Sequence, residues 1–294
     1  MPGYDKHTSH TLPSASPERN NQGRIETGMS VYGHERAGSS GHSEQMPFIK
    51  VDNVSMSFGQ REAVRQVSFM VGKGTVFGLV GSDGAGKSTL LRMAATMLQP
   101  SSGSIFIDGL DVVQEKRRVK SLIGYMPQRF GLYHDLTVEE NIDFFMDIFG
   151  IFGAERKKRK ARYLAFSNLL PFARRLAGNL SGGMKQKLGL ACVLIHEPRV
   201  LILDEPTNGV DPVSRKEFWD ILTQMRHDGM TILVSTSYLD EGEKCDHLGL
   251  MHQSQLLDTA TPSEIRSHFS SLEEAMISRI QEVDKELLHD NFKL

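Results

Sequence analysis

Short apolar runs separated by turn residues recur along the chain. The clearest cover residues 76–80, 200–203 and 231–235. Continuous apolar runs of this length are typical of strands that are buried on both faces of a parallel sheet. Stretches with helical spacing follow the first and second runs, at residues 89–95 and 212–226. Alternation of buried strands and helices predicts an α/β domain with a mostly parallel sheet.

A different pattern, strict alternation, covers the region before the first buried run. Segments 48–51 and 54–58 alternate apolar and polar residues, and segment 63–71 continues the pattern after a turn at residues 59–62. A period of two predicts strands with one buried face. A further strand is predicted at residues 104–109, where it ends in a turn.

A mostly helical insert is predicted between the two strand-rich halves, at about residues 129–195. Residues 138–149 are apolar at helical spacing, and residues 154–170 form a second helix that Pro171 ends. The second helix carries five consecutive cations at residues 156–160. Since no aromatic side chains interleave this run, it indicates a solvated helix face rather than a patch for nucleic acid or a membrane surface.

The two ends of the chain differ from this folded region. Residues 1–46 are rich in small and polar residues and almost lack aliphatic ones, which predicts a disordered tail. The main domain is expected to span residues 47–270. Residues 271–294 are expected to form an amphipathic C-terminal helix, whose apolar side could pack on the domain or on a partner.

Composition narrows the class of protein. The chain has 294 residues, 39% of them hydrophobic, and a formal net charge of −2. This balance allows a sizeable core and gives no global attraction to nucleic acid or anionic lipid. No apolar run reaches the ~18 residues that predict a membrane span. The cysteines, Cys192 and Cys245, lack metal-ligand spacing and indicate reduced thiols in a cytosolic protein.

The strongest motif joins the run at 76–80 to the helix at 89–95. Its sequence, GSDGAGKST, fits the phosphate-binding pattern G-x-x-x-x-G-K-[ST]. The glycines let several backbone N–H groups face one phosphate, and the helix N-terminus adds partial positive charge. Lys87 is expected to reach the β- and γ-phosphates of ATP, and Ser88 to bind Mg²⁺. The predicted nucleotide contacts are Gly81, Ser82, Asp83, Gly84, Ala85, Gly86, Lys87, Ser88 and Thr89.

An acidic pair follows the second buried run. Asp204 is placed to hold Mg²⁺, directly or through water, and Glu205 to polarise a water against the γ-phosphate. Acidic pairs after strands often only cap the next element. The phosphate loop in the same chain favours the catalytic interpretation here.

A second anion site is predicted in the sequence LSGGMKQ at residues 180–186. Ser181 is a good helix N-cap, and a helix start alone would explain its presence. However, Gly182 and Gly183 leave backbone N–H groups bare at a helix N-terminus, which suits a phosphate. With two separate phosphate-binding elements, one ATP could be clamped between two copies, each giving one half.

These motifs resemble the nucleotide-binding domain of the ATP-binding cassette (ABC) family over residues 47–270. The resemblance rests on the Walker A loop, the LSGGMKQ signature, the acidic Walker B pair, Gln128 after a predicted strand at 122–126, and residues 209–212. Residues 271–275 further resemble the ATPase subunits of ABC-2-type exporters. The resemblance implies a P-loop NTPase core with an antiparallel β subdomain and a helical subdomain that carries the signature.

The resemblance also implies roles for single residues. Phe58 would stack on adenine, unless it is a core residue. Gln128 would contact Mg²⁺ or the attacking water and link the site to a membrane subunit. Ser181 and Gly183 would contact the γ-phosphate bound by the opposite subunit, and Asp211 would couple the two sites.

One position departs from the family pattern. After Val234-Ser235-Thr236 the family usually has a histidine that contacts the γ-phosphate, whereas this chain has Ser237. Ser237 is therefore a candidate catalytic position at which hydrolysis is expected to be slow, while ATP binding is unaffected.

The sequence thus predicts the MgATP-hydrolysing subunit of an ABC exporter. It is expected to lie on the cytoplasmic face of a membrane, bound to a separate transmembrane permease, and to form a head-to-tail dimer with a second cassette. No nucleic-acid partner is expected. The alternatives are a slow or non-catalytic ATP-binding regulator, which Ser237 favours, and a soluble ABC protein that does not transport.

Overall fold

The computed structural model describes residues 47–267 and 269–291, so the predicted tail at residues 1–46 lies outside the described part. The strands there are β1 (Ile49–Phe58), β2 (Arg61–Val71), β3 (Val76–Gly81), β4 (Ser102–Ile107), β5 (Leu110–Asp111), β6 (Ile123–Met126), β7 (Val200–Asp204), β8 (Thr231–Thr236), β9 (His247–His252) and β10 (Gln255–Ala260). The helices are α1 (Lys87–Ala94), α2 (Lys116–Leu122), α3 (Val138–Ile148), α4 (Gly153–Phe166), α5 (Gly182–Leu194), α6 (Pro212–His227), α7 (Leu239–Gly242), α8 (Pro262–Ile265) and α9 (Leu272–Asn291).

The larger sheet confirms the predicted mostly parallel core. Its strand order is β10-β9-β3-β8-β7-β6, and only β10 pairs in an antiparallel way. Every residue of β3, β7 and β8 is buried, which explains why their sequences are nearly continuous apolar runs. Since parallel strands end at the same edge, Gly81, Asp204 and Thr236 come together there.

The smaller sheet, with strand order β2-β1-β4-β5, is antiparallel as predicted. The two predicted segments 48–51 and 54–58 form the single strand β1. Register shifts between Val51 and Val54 interrupt its alternation, and Asn53 between them has a φ of 49°. A bulge of this kind breaks the period of two without ending the strand.

Three helices, α3 to α5, form the predicted helical insert between β6 and β7. α3 begins at a capping box in which Thr137 and Glu140 bond reciprocally. α4 ends at Phe166, earlier than predicted, because Asn168 takes a left-handed conformation with a φ of 56°. Pro171 instead lies in a separate 3₁₀ turn.

Three of the five cations in the basic run of α4 form ion pairs, whereas Lys157 and Lys158 are exposed as predicted. Lys160 lies 2.5 Å from Asp143, and the Arg156 guanidinium contacts the same carboxylate at 3.0 Å. Arg159 lies 3.0 Å from Glu197, beyond α5. The run therefore ties α4 to its neighbours in the helical insert.

The hairpin of β9 and β10 was not predicted. Its turn residues, Gln253 and Ser254, both have positive φ, at 43° and 69°. Such turns usually carry Asn-Gly or Asp-Gly, so the sequence gives no hairpin signal here.

The C-terminal helix α9 buries Leu272, Ala275 and Met276 in the core of the larger sheet, which shows that this end of the helix packs on its own domain. Across the described residues, we find no helix with the length and apolar character needed to cross a bilayer.

Candidate functional site

The phosphate loop connects β3 to α1. Two of its positions must be glycine because backbone atoms of other strands lie very close to them. A Cβ atom on Gly81 would lie 2.2 Å from the carbonyl oxygen of Met251 on β9. Gly86 has a φ of 103°, and a Cβ atom there would lie 2.4 Å from the carbonyl oxygen of Ala63. Both contacts are shorter than real Cβ contacts, so these positions require glycine even before a ligand is considered.

Lys87, at the first position of α1, is almost fully buried, with 4% of its surface exposed. Its Nζ donates to the carbonyl oxygens of Gly81 at 2.6 Å and Ser82 at 3.0 Å. The same Nζ lies 3.2 Å from Oε1 of Glu205. The ammonium group is therefore held at the end of the loop, between β3 and β7.

Asp204 ends β7 next to the hydroxyl of Ser88. Its Oδ1 accepts from Ser88 Oγ at 2.7 Å and from Ser235 Oγ at 2.9 Å. Its Oδ2 is buried without a hydrogen-bond partner among the described residues. A buried carboxylate oxygen without a partner beside a serine hydroxyl fits the oxygen ligands that Mg²⁺ prefers. Ser88 and Asp204 thus suit the predicted metal site.

The Glu205 side chain contacts Lys87, Gln128 and Asn208. Its Oε2 accepts from Gln128 Nε2 at 3.0 Å and from Asn208 Nδ2 at 3.0 Å. Its φ of 46° is unusual for a residue with a side chain, and its backbone N–H is held by Ser235 Oγ at 3.0 Å. The structure thus brings the predicted Gln128 and Glu205 together and adds Asn208 and Ser235, which sequence reasoning missed.

The Tyr125 side chain lies beside Asp204, the candidate magnesium ligand. Burial, followed by the negative charge of Asp204, raises the pKa of Tyr125 above its ordinary value. The hydroxyl of Tyr125 therefore stays protonated at neutral pH. It is buried without a hydrogen-bond partner among the described residues.

Lys87, Ser88, Gln128 and Glu205 line one groove with a volume of about 610 Å³. Phe58 also lines this groove and is 50% exposed, so it is not a core residue. Arg61 pairs with Phe58 across the hairpin and lines the same groove. The lining residues are Phe58, Arg61, Ala63, Asp83, Gly84, Ala85, Gly86, Lys87, Ser88, Thr89, Gln128 and Glu205.

The signature residues lie apart from this lining, at the start of α5. Ser181 is the N-cap and accepts from the Met184 N–H at 3.3 Å. Gly182 is exposed, with open space where a Cβ atom would stand. Gly183 is buried, and a Cβ atom there would lie 2.3 Å from Cβ of Ser214 on α6. Gly183 therefore has a packing reason of its own, whereas Gly182 presents free backbone.

Ser237 directly follows β8 and is exposed. The histidines nearest to it in sequence lie elsewhere. His227 ends α6, and His247 begins β9 opposite Phe77, at the edge of the sheet away from the phosphate loop. Neither histidine lines the groove.

Comparison with known proteins agrees with this arrangement. The family model described as ABC transporter matches residues 64–208. The linearmycin resistance ATP-binding protein LnrL of Bacillus subtilis (strain 168) is 34% identical over 220 residues, which cover 74% of this chain and 71% of LnrL. The chain belongs to the ABC transporter family.

Other relatives of this ABC domain extend the comparison. The probable multidrug ABC transporter ATP-binding protein YbhF of Escherichia coli (strain K12) is 47% identical over 234 residues. That match covers 80% of this chain and only 40% of the length of YbhF. A solved structure titled as the ATP-binding subunit of an ABC transporter superposes with a TM-score of 0.71 and 28% identity, over 79% of this chain and 99% of that one. The predicted P-loop NTPase fold is thereby confirmed.

Proposed function

We propose that this chain is the ATP-binding and ATP-hydrolysing subunit of an ABC exporter, which works with a separate transmembrane permease at the cytoplasmic face of a membrane. One observation carries the proposal: Lys87, the Ser88–Asp204 pair and the Gln128–Glu205 pair converge on a single groove. Each pair joins side chains from distant parts of the sequence. Together they supply a cation, a candidate metal site and a carboxylate that can orient a water, which are the groups that phosphoryl transfer requires.

In this mechanism, Phe58 stacks on the adenine, and the N–H groups of the glycine loop and Lys87 hold the phosphates. Ser88, Asp204 and Gln128 would hold Mg²⁺, which when bound neutralises charge on the β- and γ-phosphates. Glu205 orients a water for attack on the γ-phosphorus and accepts its proton. To do so, the Glu205 carboxylate must give up its contact with the Lys87 ammonium and bind the water instead. The ammonium then contacts the phosphates.

The mechanism also requires a second cassette. Ser181, Gly182 and Gly183 are outside the groove of their own chain, so they act on ATP held by a partner. The exposed, open surface at Gly182 leaves backbone N–H groups accessible to a phosphate at the N-terminus of α5. We infer a head-to-tail dimer in which each ATP lies between one phosphate loop and one signature.

Attachment to a permease is supported by exposed apolar side chains on the helical insert. Ile148, Phe149 and Phe152 are 59%, 43% and 65% exposed. Large exposed apolar groups that lie close together often mark protein interaction sites. The segment after Gln128 reaches this insert directly, because the ring of Phe130 packs 5.4 Å from that of Phe145 on α3. Movement of Gln128 with ATP can therefore be transmitted to the permease. The names of LnrL, a resistance protein, and of YbhF, a probable multidrug transporter protein, favour export as the direction.

The Glu205→Gln variant of the full chain tests the proposal. The amide keeps the size of the side chain but cannot accept a proton, so ATP hydrolysis should fall at least ~100-fold, the loss typical of a missing general base. MgATP should still bind, and gel filtration should show a trapped dimer. Glu115→Gln, at a partly exposed side chain that does not line the groove, serves as the matched control and should retain the wild-type rate.

Three results would count against the proposal. Turnover of Glu205→Gln at the wild-type rate would remove Glu205 from catalysis. ATP binding by the unaltered chain without any hydrolysis would favour the non-catalytic regulator. Failure of the unaltered chain to sediment with membranes of its native host would argue against the permease.

A further inference from the structure

Glu241 is a buried charged side chain to which the mechanism above gives no role. It lies on the short helix α7, just after the loop that carries Ser237, and none of its surface is exposed. Removing a carboxylate from water is unfavourable unless hydrogen bonds or a cation replace the lost solvation. Its contacts therefore indicate what keeps it there.

Two threonine hydroxyls solvate the carboxylate, one on each oxygen. Thr207 Oγ1 donates to Oε1 at 2.6 Å, and Thr236 Oγ1 donates to Oε2 at 2.6 Å. Both distances are in the short range typical of hydrogen bonds to a charged acceptor. Arg215 Nε lies 3.9 Å away, so it balances the charge without displacing either threonine.

The first threonine belongs to the segment that shapes the catalytic glutamate. Thr207 lies two residues after Glu205, in a turn where the Asn208 N–H donates to the Glu205 carbonyl oxygen at 3.2 Å. The Asn208 side chain then donates to Glu205 Oε2 at 3.0 Å. The same segment leads to Asp211, which caps α6. Fixing Thr207 therefore fixes the turn from which Asn208 holds the Glu205 carboxylate.

The second threonine belongs to the loop on the other side. Thr236 ends β8, and its Oγ1 also accepts from the Tyr238 N–H at 3.0 Å. Ser237 lies between Thr236 and Tyr238 in the chain, so the bond from Thr236 to Glu241 and the bond from Tyr238 to Thr236 limit the positions that Ser237 can take. Arg215 adds a further contact, since its guanidinium lies 4.3 Å from the centre of the Tyr238 ring.

We propose that Glu241 is a positioning residue that holds the Glu205 segment and the Ser237 loop in one fixed arrangement. It touches no substrate and acts through its two threonine contacts. Both loops border the place where the γ-phosphate is expected, so one buried carboxylate sets both sides of the reaction together. This role rests on the proposed ATPase function.

Valine variants of the two threonines test the role, because they remove one contact each and leave Glu241 in place. Thr207→Val and Thr236→Val should each lower kcat by about tenfold, the equivalent of one hydrogen bond to a charged group. The affinity for ATP, measured by calorimetry, should change less than about twofold. Since both contacts act through one carboxylate, the double variant should be little slower than either single variant.

Two sets of controls separate positioning from simple loss of stability. Thr207→Ser and Thr236→Ser retain the hydroxyl and should restore kcat. Thr231→Val removes a comparable fully buried hydroxyl at the other end of β8, which accepts from the Gly74 N–H at 2.9 Å. It should lower the temperature of unfolding as much as Thr236→Val and leave kcat unchanged.

The outcomes separate this role from the proposed function. Wild-type kcat in both valine variants, or an equal loss of kcat in Thr231→Val, would overturn the role of Glu241 alone. Multiplied losses in the double variant would also overturn it, because the two loops would then be held independently. An unaltered chain without ATP turnover would overturn the proposed function and this role with it.

Discussion

The chain contains two helix starts suited to phosphate, and they lie in opposite environments. At the start of α1, Lys87 is 4% exposed and lies 3.2 Å from Glu205 on another strand. At the start of α5, Ser181 and Gly182 are exposed, and neither lines the groove. The first is surrounded by candidate catalytic groups of its own chain, whereas the second has exposed backbone at Gly182.

This difference indicates which functions a single chain can perform and which functions need two chains. The α1 site has a cation, glycine N–H groups and a candidate metal site within one groove, so a single chain should bind MgATP. The α5 site has exposed backbone at Gly182 and does not line that groove. Under the proposed function it acts on a phosphate that a second cassette holds. Substitutions at the two sites should therefore fail in different ways.

The largest effect is expected from Lys87→Ala. The loop would lose the ammonium group that donates to the carbonyl oxygens of Gly81 and Ser82. ATP affinity of the isolated chain should fall by ~100-fold or more, because the phosphates would lose a charge-assisted contact in a buried position. Calorimetric titration with MgATP measures this directly. An affinity within twofold of the wild-type value would show that the loop does not hold the phosphates.

Ser181→Arg is expected to act on turnover alone. Its bulky cation would fill the space that a partner's γ-phosphate needs, while its own groove is untouched. ATP hydrolysis should fall by about 100-fold or more, since the dimer loses preorganised donors at the γ-phosphate, and ATP affinity of the monomer should be unchanged. Ser181→Thr keeps the N-cap contact with Met184 and is the matched control. Weakened ATP binding in monomeric Ser181→Arg would mean that this residue serves only its own fold.

Features that depend on neighbouring residues in the chain were predictable. The phosphate loop is recognisable because its glycines, Lys87 and Ser88 follow one another at a fixed spacing within nine residues. Asp211 directly precedes Pro212 at the start of α6, a pattern typical of an N-cap, and its Oδ1 accepts from the Ser214 N–H at 3.0 Å. Such contacts join residues a few positions apart, where spacing alone determines geometry.

Features that depend on the order of strands were not predictable. Ser235 lies on β8, and its hydroxyl donates to Asp204 and accepts from the Glu205 N–H because β8 pairs with β7. Glu241 reaches Thr207 for the same reason. In the sequence, Ser235 is a serine inside an apolar strand and Glu241 is an acidic residue in a polar stretch, so neither of them stands out. Only the packing of the sheet gives them roles.

The smallest effect is expected at Ser237, where the two sites of a dimer should meet. A serine hydroxyl reaches less far than an imidazole from the same loop, so the γ-phosphate lacks one donor as charge shifts in the transition state. One missing preorganised donor lowers kcat by roughly 10²–10³-fold in other hydrolytic sites, although a water can fill part of the gap. Ser237→His should therefore raise the ATPase rate of the purified chain several-fold, with ATP affinity nearly unchanged. Glu205→Gln defines the zero of the assay. The slow-site hypothesis fails if Ser237→His turns over at the wild-type rate while Glu205→Gln remains inactive.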